Sequence, residues 1–131
     1  MVETAIVPRH LASNYLRKAT ENAHTMKQAL QHGAWNTACL LAVHCLISSA
    51  DALTVHHLGA HSKSQRHQDA VQIIQSTGLP GIDEKCRQFL NVLELKNEVE
   101  YKHDLIPEKK AREMVEQAER FYQWVKNHLP A

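Results

Sequence analysis

Charged and titratable side chains follow an apolar stripe in the C-terminal half of the chain. Phe89, Leu93, Lys96, Glu100 and His103 recur at steps of four, three, four and three residues. This spacing places them on one side of an α-helix. The first two are typical of a core, and the next three are charged or titratable. Because an unpartnered buried charge is costly, we expect these three to meet a partner, a water-filled cleft or a ligand.

Two interpretations of this segment stay open. Lys96 and Glu100 stand at ion-pair spacing, within one chain or across a dimer, and Tyr101 would then pack its ring and expose its hydroxyl. Alternatively, these side chains and Asn97 form a polar cleft for a nucleotide or an RNA phosphate. In a nuclease version of that cleft, His103 would act as a general base on a ribose 2′-hydroxyl, and Lys96 would stabilise charge on the phosphate.

Asp51 is the second candidate for a ligand-binding or interface residue. It lies inside a predicted helix among small residues, where aspartate has poor helix propensity. One interpretation pairs it with Lys96 or with a basic group of a partner subunit, and the other leaves it facing solvent. On the same helix, we expect His44 to be a hydrogen-bonded interior or interface histidine.

Histidines are numerous, ten in all, so the net charge responds to pH where imidazole titrates. The group His56, His57, His61 and His67 invites a metal-site hypothesis, but its spacing matches no zinc signature. We therefore predict neither a metal site nor a cofactor. A helix C-terminus favours imidazolium, which gives His56 and His57 a structural role. Arg66 with His67 would be able to face a phosphate.

Composition predicts one helical domain over residues 1–131. The 131 residues are 44% hydrophobic and include only four glycines and four prolines, which favours long helices over a turn-rich β architecture. A net charge of +1 excludes a strong polyanion-binding field as the default. The odd set of cysteines, Cys39, Cys45 and Cys86, lies among apolar residues and predicts buried, reduced thiols.

Neither a secretion signal nor a membrane span is predicted. Residues 1–8 lack the basic flank and long apolar core of a signal. The most apolar run, 38–50, contains His44 and is too short to cross a bilayer. We therefore expect a soluble, cytoplasmic protein.

Periodicity predicts an all-α, up-and-down bundle of five helices, four long and one short, because short connections make successive helices antiparallel. The helices are expected at about 10–31, 35–57, 64–76, 83–103 and from Pro107 onward. The second is rich in alanine and serine, which allow close helix approach, so we predict that it is central. Gly33 and Gly59 are the expected helix stops.

The order of several motifs resembles the HEPN (higher eukaryotes and prokaryotes nucleotide-binding) superfamily, in its small stand-alone prokaryotic type. The segments that carry the resemblance are LRKATENA at 16–23, GAWNTAC at 33–39, HHLG at 56–59, SQRHQDAV at 64–71, and LNVLELKNEVEY at 90–101 followed by PEKKA at 107–111. The closing block is the most specific, since many members carry an Arg near Lys96, an acidic residue at Glu100 and a Tyr at Tyr101.

The resemblance implies a homodimer with the polar residues of the fourth helix at or near a cleft between subunits. Catalytic members are metal-independent ribonucleases with an Arg, four to six residues and a His. This chain has Lys96, six residues and His103, and an ammonium cannot hold a phosphate through two parallel hydrogen bonds as a guanidinium does.

We therefore expect a non-catalytic module that binds a nucleotide, a nucleic acid or a nucleotidyltransferase-type partner, in a toxin–antitoxin or stress system. One alternative is a metal-independent endoribonuclease toxin using His103 and Lys96. A second alternative is a purely structural dimeric assembly protein.

Overall fold

The structure, a computed structural model, describes residues 2–64, 66–101 and 105–130, and the side chains of all of these except 98–101. Within this part of the chain it confirms the predicted five-helix, up-and-down, all-α bundle with one short helix. The helices are α1 (Ala12–Gln31), α2 (Trp35–Leu58), α3 (His67–Gln75), α4 (Ile82–Tyr101) and α5 (Glu108–Asn127). A single 3-10 turn, Arg9–Leu11, precedes α1.

The predicted glycine stops are confirmed. Gly59 ends α2 with φ 70° and donates its amide hydrogen to the carbonyl of Val55. Gly33, with φ 73°, follows α1. Only glycine enters this left-handed region without a steric cost, so both residues stop the helix where the sequence predicts.

Helix α3 begins at His67, later than the predicted start near Ser64. The Ser64 amide donates to Ser62 Oγ at 3.2 Å, and the Arg66 amide donates to Ser64 Oγ at 3.0 Å. Serine hydroxyls thus bind the backbone amides in a turn, which competes with helix formation. Asp83, expected as the cap of the fourth helix, is instead the second residue of α4, and Pro107, expected in the first turn of the fifth helix, immediately precedes α5.

Helix α2 is central, as its small side chains predict. It contacts α1, α3, α4 and α5. Ala38, Ala42 and Ala52 are fully buried, so neighbouring backbones approach closely along this helix. His44 is exposed on α2, so the interior alternative for this histidine is wrong.

By length and composition alone, the whole of α2 would be able to cross a membrane, whereas the apolar run 38–50 within it is too short. The most apolar 18 residues of α2 have a mean hydropathy of 1.7, and 67% of this segment is buried inside the bundle. The apolar character of α2 is therefore accounted for by its central position in the core.

The core is continuous and contains all three cysteines. Phe89 on α4 packs against Phe121 on α5 with ring centroids 5.7 Å apart. The cysteines are buried and not bonded to one another, which confirms the prediction of buried thiols. Burial raises the pKa of Cys45 to about 12 and the pKa of Cys39 and Cys86 to about 11.

A small sheet that the sequence analysis does not predict closes one end of the bundle. Strand β1 (Thr4–Ile6) pairs antiparallel with β2 (Ala60–Ser62), and Ala5 stands opposite His61. The Val7 amide donates to the Gly59 carbonyl at 2.9 Å, and the Lys63 amide to the Glu3 carbonyl at 3.0 Å. The sheet holds the chain after α2 against the N-terminal segment and thereby positions His61.

Candidate functional site

A cleft of about 500 Å³ lies between α2, β2, α3 and α4. Its apolar floor comes from the core-facing sides of the helices and includes Ile74, Phe89 and Leu93. Its polar rim consists of Asp51, Thr54, His61, Ser62, Ser64, Arg66, His67, Lys96 and Asn97. We call this concavity the polar cleft. Its apolar interior and few convergent polar groups are typical of small-ligand sites.

Three of the residues predicted from the sequence to bind a ligand or form an interface line the polar cleft together. Asp51 comes from α2, and Lys96 and Asn97 come from α4. His103 lies outside the described residues. Glu100 and Tyr101 lie in the last turn of α4, where the side chains are outside the described part of the structure.

Asp51 contacts a histidine across the rim of the cleft. Its Oδ1 atom lies 4.0 Å from Nδ1 of His61, and the two side chains are 25% and 21% exposed. Burial raises the pKa of Asp51 to about 6, against the opposing effects of the positive charges of His61 and Lys18. The Asp51 carboxyl therefore changes charge near neutral pH, whereas an exposed aspartate does so near pH 4.

His61 is held in one orientation. Its Nδ1 atom lies 3.0 Å from the carbonyl oxygen of Ser62. Because a carbonyl only accepts, Nδ1 must carry the hydrogen, which leaves Nε2 as the proton-accepting nitrogen of the neutral ring. The ring of Tyr15 packs against His61 with centroids 5.6 Å apart. No role for His61 follows from the sequence, because its proximity to Asp51 depends on the β1–β2 pairing.

Arg66 and His67 reach the cleft from the start of α3. The turn before α3 is braced by the Ser64 hydroxyl, which donates to Asp69 Oδ2 at 2.7 Å. Within the described part of the chain, the Arg66 guanidinium makes no ion pair. The turn thus presents a cation to the same cleft as Lys96.

The electrostatic balance of the polar cleft favours an anion. The side chains of Arg66 and Lys96 bring positive charge to the rim, and the imidazoles of His61 and His67 lie on the same rim. Among the described side chains of the rim, Asp51 is the only acidic one, and burial disfavours its charged form.

The four histidines considered for a metal separate into two places. His61 and His67 line the polar cleft, whereas His56 and His57 occupy the last turn of α2 and line a different concavity. Among the described residues, no group of three or more histidine, cysteine, aspartate or glutamate side chains is arranged to hold a metal ion.

These features define an all-α helical bundle with a polar cleft between its central helix and its fourth helix. The HEPN domain model matches residues 12–128, and the chain belongs to the HEPN family. This is a family of modules related to nucleotides and RNA, whose domains commonly dimerise. A search of curated proteins gave no significant match.

Proposed function

We propose that this HEPN protein is a binding module whose polar cleft takes the phosphate of a nucleotide or of RNA, without cleaving it. The observation that carries the proposal is the convergence of Arg66, from the turn before α3, with Lys96 and Asn97 of α4 on one cleft of about 500 Å³. A guanidinium can bind phosphate oxygens in pairs, an ammonium adds a point charge, and an amide side chain donates a directional hydrogen bond. The cleft volume falls within the range of small-ligand sites.

The proposal is tested with the full chain by thermal shift and calorimetry against AMP, ATP and a short single-stranded RNA. A ligand at about 100 times its Kd should stabilise the protein by about 2.7 kcal/mol. Arg66→Gln should weaken binding by about tenfold, because charged hydrogen bonds to phosphate are lost. Arg87→Gln, which changes an exposed arginine of α4 outside the cleft lining, should leave binding unchanged. Absence of a shift with every ligand would favour the purely structural alternative.

We propose further that the protein forms a homodimer through an exposed apolar strip on α2. Leu40 and Ile47 are 52% and 37% exposed, lie seven residues apart on one side of the helix and flank His44. A pocket of about 110 Å³ is lined by both of them and by Lys96. A dimer through this strip would bring the polar clefts of two subunits close together. The same strip would serve a partner protein such as a nucleotidyltransferase in a toxin–antitoxin or stress system.

Light scattering at micromolar concentration tests the dimer. Ile47→Glu should convert a dimer to a monomer, because it buries a charge at the interface. Ile6→Glu is the matched control, since Ile6 is 90% exposed on β1, away from the strip. A parent protein that is monomeric under these conditions contradicts the dimer.

A metal-independent endoribonuclease is the second candidate function, and the orientation of His61 favours it. With Nδ1–H directed at the Ser62 carbonyl, Nε2 would accept the proton of a ribose 2′-hydroxyl. The 2′-oxygen would form a bond to phosphorus as the bond to the 5′-oxygen breaks, giving a cyclic phosphate and a 5′-hydroxyl, and a water molecule would protonate the departing oxygen. Arg66 and Lys96 would stabilise the extra charge on the phosphate.

Incubation of the parent, His61→Ala and His103→Ala with single-stranded RNA in a chelator separates the two functions. Binding without cleavage by all three supports the binding module. Cleavage that is lost only in His61→Ala supports His61 as the general base. Cleavage that is lost only in His103→Ala supports the alternative based on His103 and Lys96.

A further inference from the structure

A second concavity lies at the end of the bundle where α1 begins and α2 ends. Its volume is about 520 Å³, and it shares no lining residue with the polar cleft. Basic and titratable side chains line one side, namely Arg9, His10, His56 and His57. Apolar side chains line the other, including Leu16, Leu129 and Pro130. We call this concavity the basic groove.

Among the residues that the structure describes, no acidic side chain lines the basic groove beside its cations. Arg9 makes no ion pair within the described part of the chain. The pKa of His56 is lowered, first by burial and then by the positive charges of His57 and Arg9. An anion placed among these side chains would remove this mutual repulsion.

Several of these side chains are held in place by the fold. Nε2 of His57 donates to the carbonyl oxygen of His128, 3.1 Å away, so Nδ1 is the nitrogen of the neutral ring that carries no hydrogen. The rings of His56 and His57 lie edge to face with centroids 4.8 Å apart. The stem of Arg9 lies against Gly59, with Nε 3.6 Å from the position that a Cβ at Gly59 would take. The absence of a side chain at Gly59 thus leaves room for the Arg9 guanidinium.

We propose that the basic groove is a second ligand site, separate from the polar cleft, that binds a phosphate monoester carrying an apolar group. The Arg9 guanidinium provides paired hydrogen-bond donors to the phosphate oxygens. Protonated imidazoles of His10, His56 and His57 complement its double negative charge. Leu16, Leu129 and Pro130 cover the apolar group of the ligand.

Phosphate binding in the groove should weaken as the pH rises. The titratable and charged side chains among the described lining residues are Arg9, His10, His56 and His57, and an imidazole favours an anion only in its protonated form. Burial and the charges of His57 and Arg9 lower the pKa of His56, and a bound dianion opposes that shift. A phosphate monoester loses its second proton near pH 6, so it is mostly doubly charged at both pH 6.5 and pH 8.0. The fall in affinity between these two values therefore reports the loss of positive charge from the groove and not a change in the ligand.

Calorimetric titration of the full chain with phenyl phosphate at pH 6.5 and pH 8.0 tests the proposal. We expect binding at pH 6.5 that weakens by roughly tenfold at pH 8.0. Inorganic phosphate should bind more weakly than phenyl phosphate, and phenol should not bind. Arg9→Gln and His56→Gln should each weaken phenyl phosphate binding by about tenfold.

Matched controls separate this site from the polar cleft. Arg87→Gln and His24→Gln change exposed side chains outside the groove, so both should bind phenyl phosphate as the parent does. Because the polar cleft is itself proposed to take a phosphate, the titrations are repeated in the Lys96→Gln background, where the effects of Arg9→Gln and His56→Gln should persist. If Arg9→Gln does not fold, Arg9→Lys keeps the charge but loses the paired donors and should show the same weakening. No binding by the parent at pH 6.5, or binding unchanged by Arg9→Gln in both the parent and the Lys96→Gln background, would overturn the proposal. The effect of Arg9→Gln does not depend on whether nucleotides bind in the polar cleft.

Discussion

The Oδ1 atom of Asp51 on α2 lies 4.0 Å from Nδ1 of His61 on β2, and both side chains are three-quarters or more buried at the rim of the polar cleft. Burial outweighs the attraction of His61 and raises the pKa of Asp51 to about 6. The Asp51 carboxyl therefore changes its charge near pH 6, and this change would alter the affinity of the polar cleft for a charged ligand.

The stability of the protein should fall as the pH rises from about 4 to about 6.5, because of Asp51. The pKa of this group is higher in the folded state than its ordinary 3.8, so the folded state binds more protons than the unfolded state in this interval. The stabilisation is fully present below pH 3.8 and is lost as the pH passes through about 6. Asp51→Asn should remove this slope and raise stability at pH 7.5 by up to about 3 kcal/mol.

Urea unfolding of the parent and of Asp51→Asn at several pH values measures this effect. Glu113→Gln, which changes an exposed carboxylate on α5, is the control and should keep the slope of the parent. An Asp51→Asn variant with the same pH dependence as the parent would show that Asp51 has an ordinary pKa.

Substitutions at Asp51 and Lys96 should have opposite effects on ligand binding in the polar cleft. At pH 7.5, Asp51→Asn removes a negative charge from the rim and should tighten nucleotide binding by roughly threefold to tenfold. Lys96→Gln removes a positive charge and should weaken binding by about tenfold. Calorimetry at one salt concentration measures both effects, and changes of the same sign in the two variants would argue against an anion in the cleft.

A hydrogen bond between α1 and α5 should be measurable as a coupling energy. The Thr20 hydroxyl donates to the Leu16 carbonyl at 2.9 Å, so it accepts from the buried Tyr122 hydroxyl at 2.8 Å. Tyr122→Phe should cost about 1 kcal/mol. A double-mutant cycle with Thr20→Val, measured by urea unfolding, should recover most of this amount. Tyr15→Phe is the control, because Tyr15 contacts His61 through its ring and not through its hydroxyl. An equal loss of unfolding free energy in this control would mean that the Tyr122 hydroxyl contributes nothing specific.

The three thiols should react only when the bundle opens. Burial raises the pKa of Cys45 to about 12 and that of Cys39 and Cys86 to about 11, so the thiolate, which is the reactive form, is scarce at pH 8. We expect negligible labelling by a thiol reagent in the native state and three labelled groups in denaturant. A Ser76→Cys variant supplies an exposed thiol that should react at once. Rapid native labelling of a parent cysteine would contradict its buried position.

Local sequence patterns were sufficient to predict the helices. Helix periodicity and glycine depend on residues close together in the chain, so α1, α2 and their stops at Gly33 and Gly59 follow from a short window of sequence. The small residues of α2 likewise predict its central position, since close helix approach requires small side chains. Turn chemistry at Ser62 and Ser64 shifted the start of α3, because side-chain hydroxyls compete with the helix for backbone amides.

The amino-acid sequence by itself determined the helical bundle, the buried thiols and the family. It also indicated Asp51, Lys96 and Asn97 as candidates, because charged or polar residues on a helix next to core positions require a partner. Only the tertiary structure decided which residues share a cleft. His61 lies ten residues from Asp51 in the chain and comes close to it through the pairing of β2 with β1. Such pairings depend on how distant segments dock, and a local pattern of residue types does not contain that information.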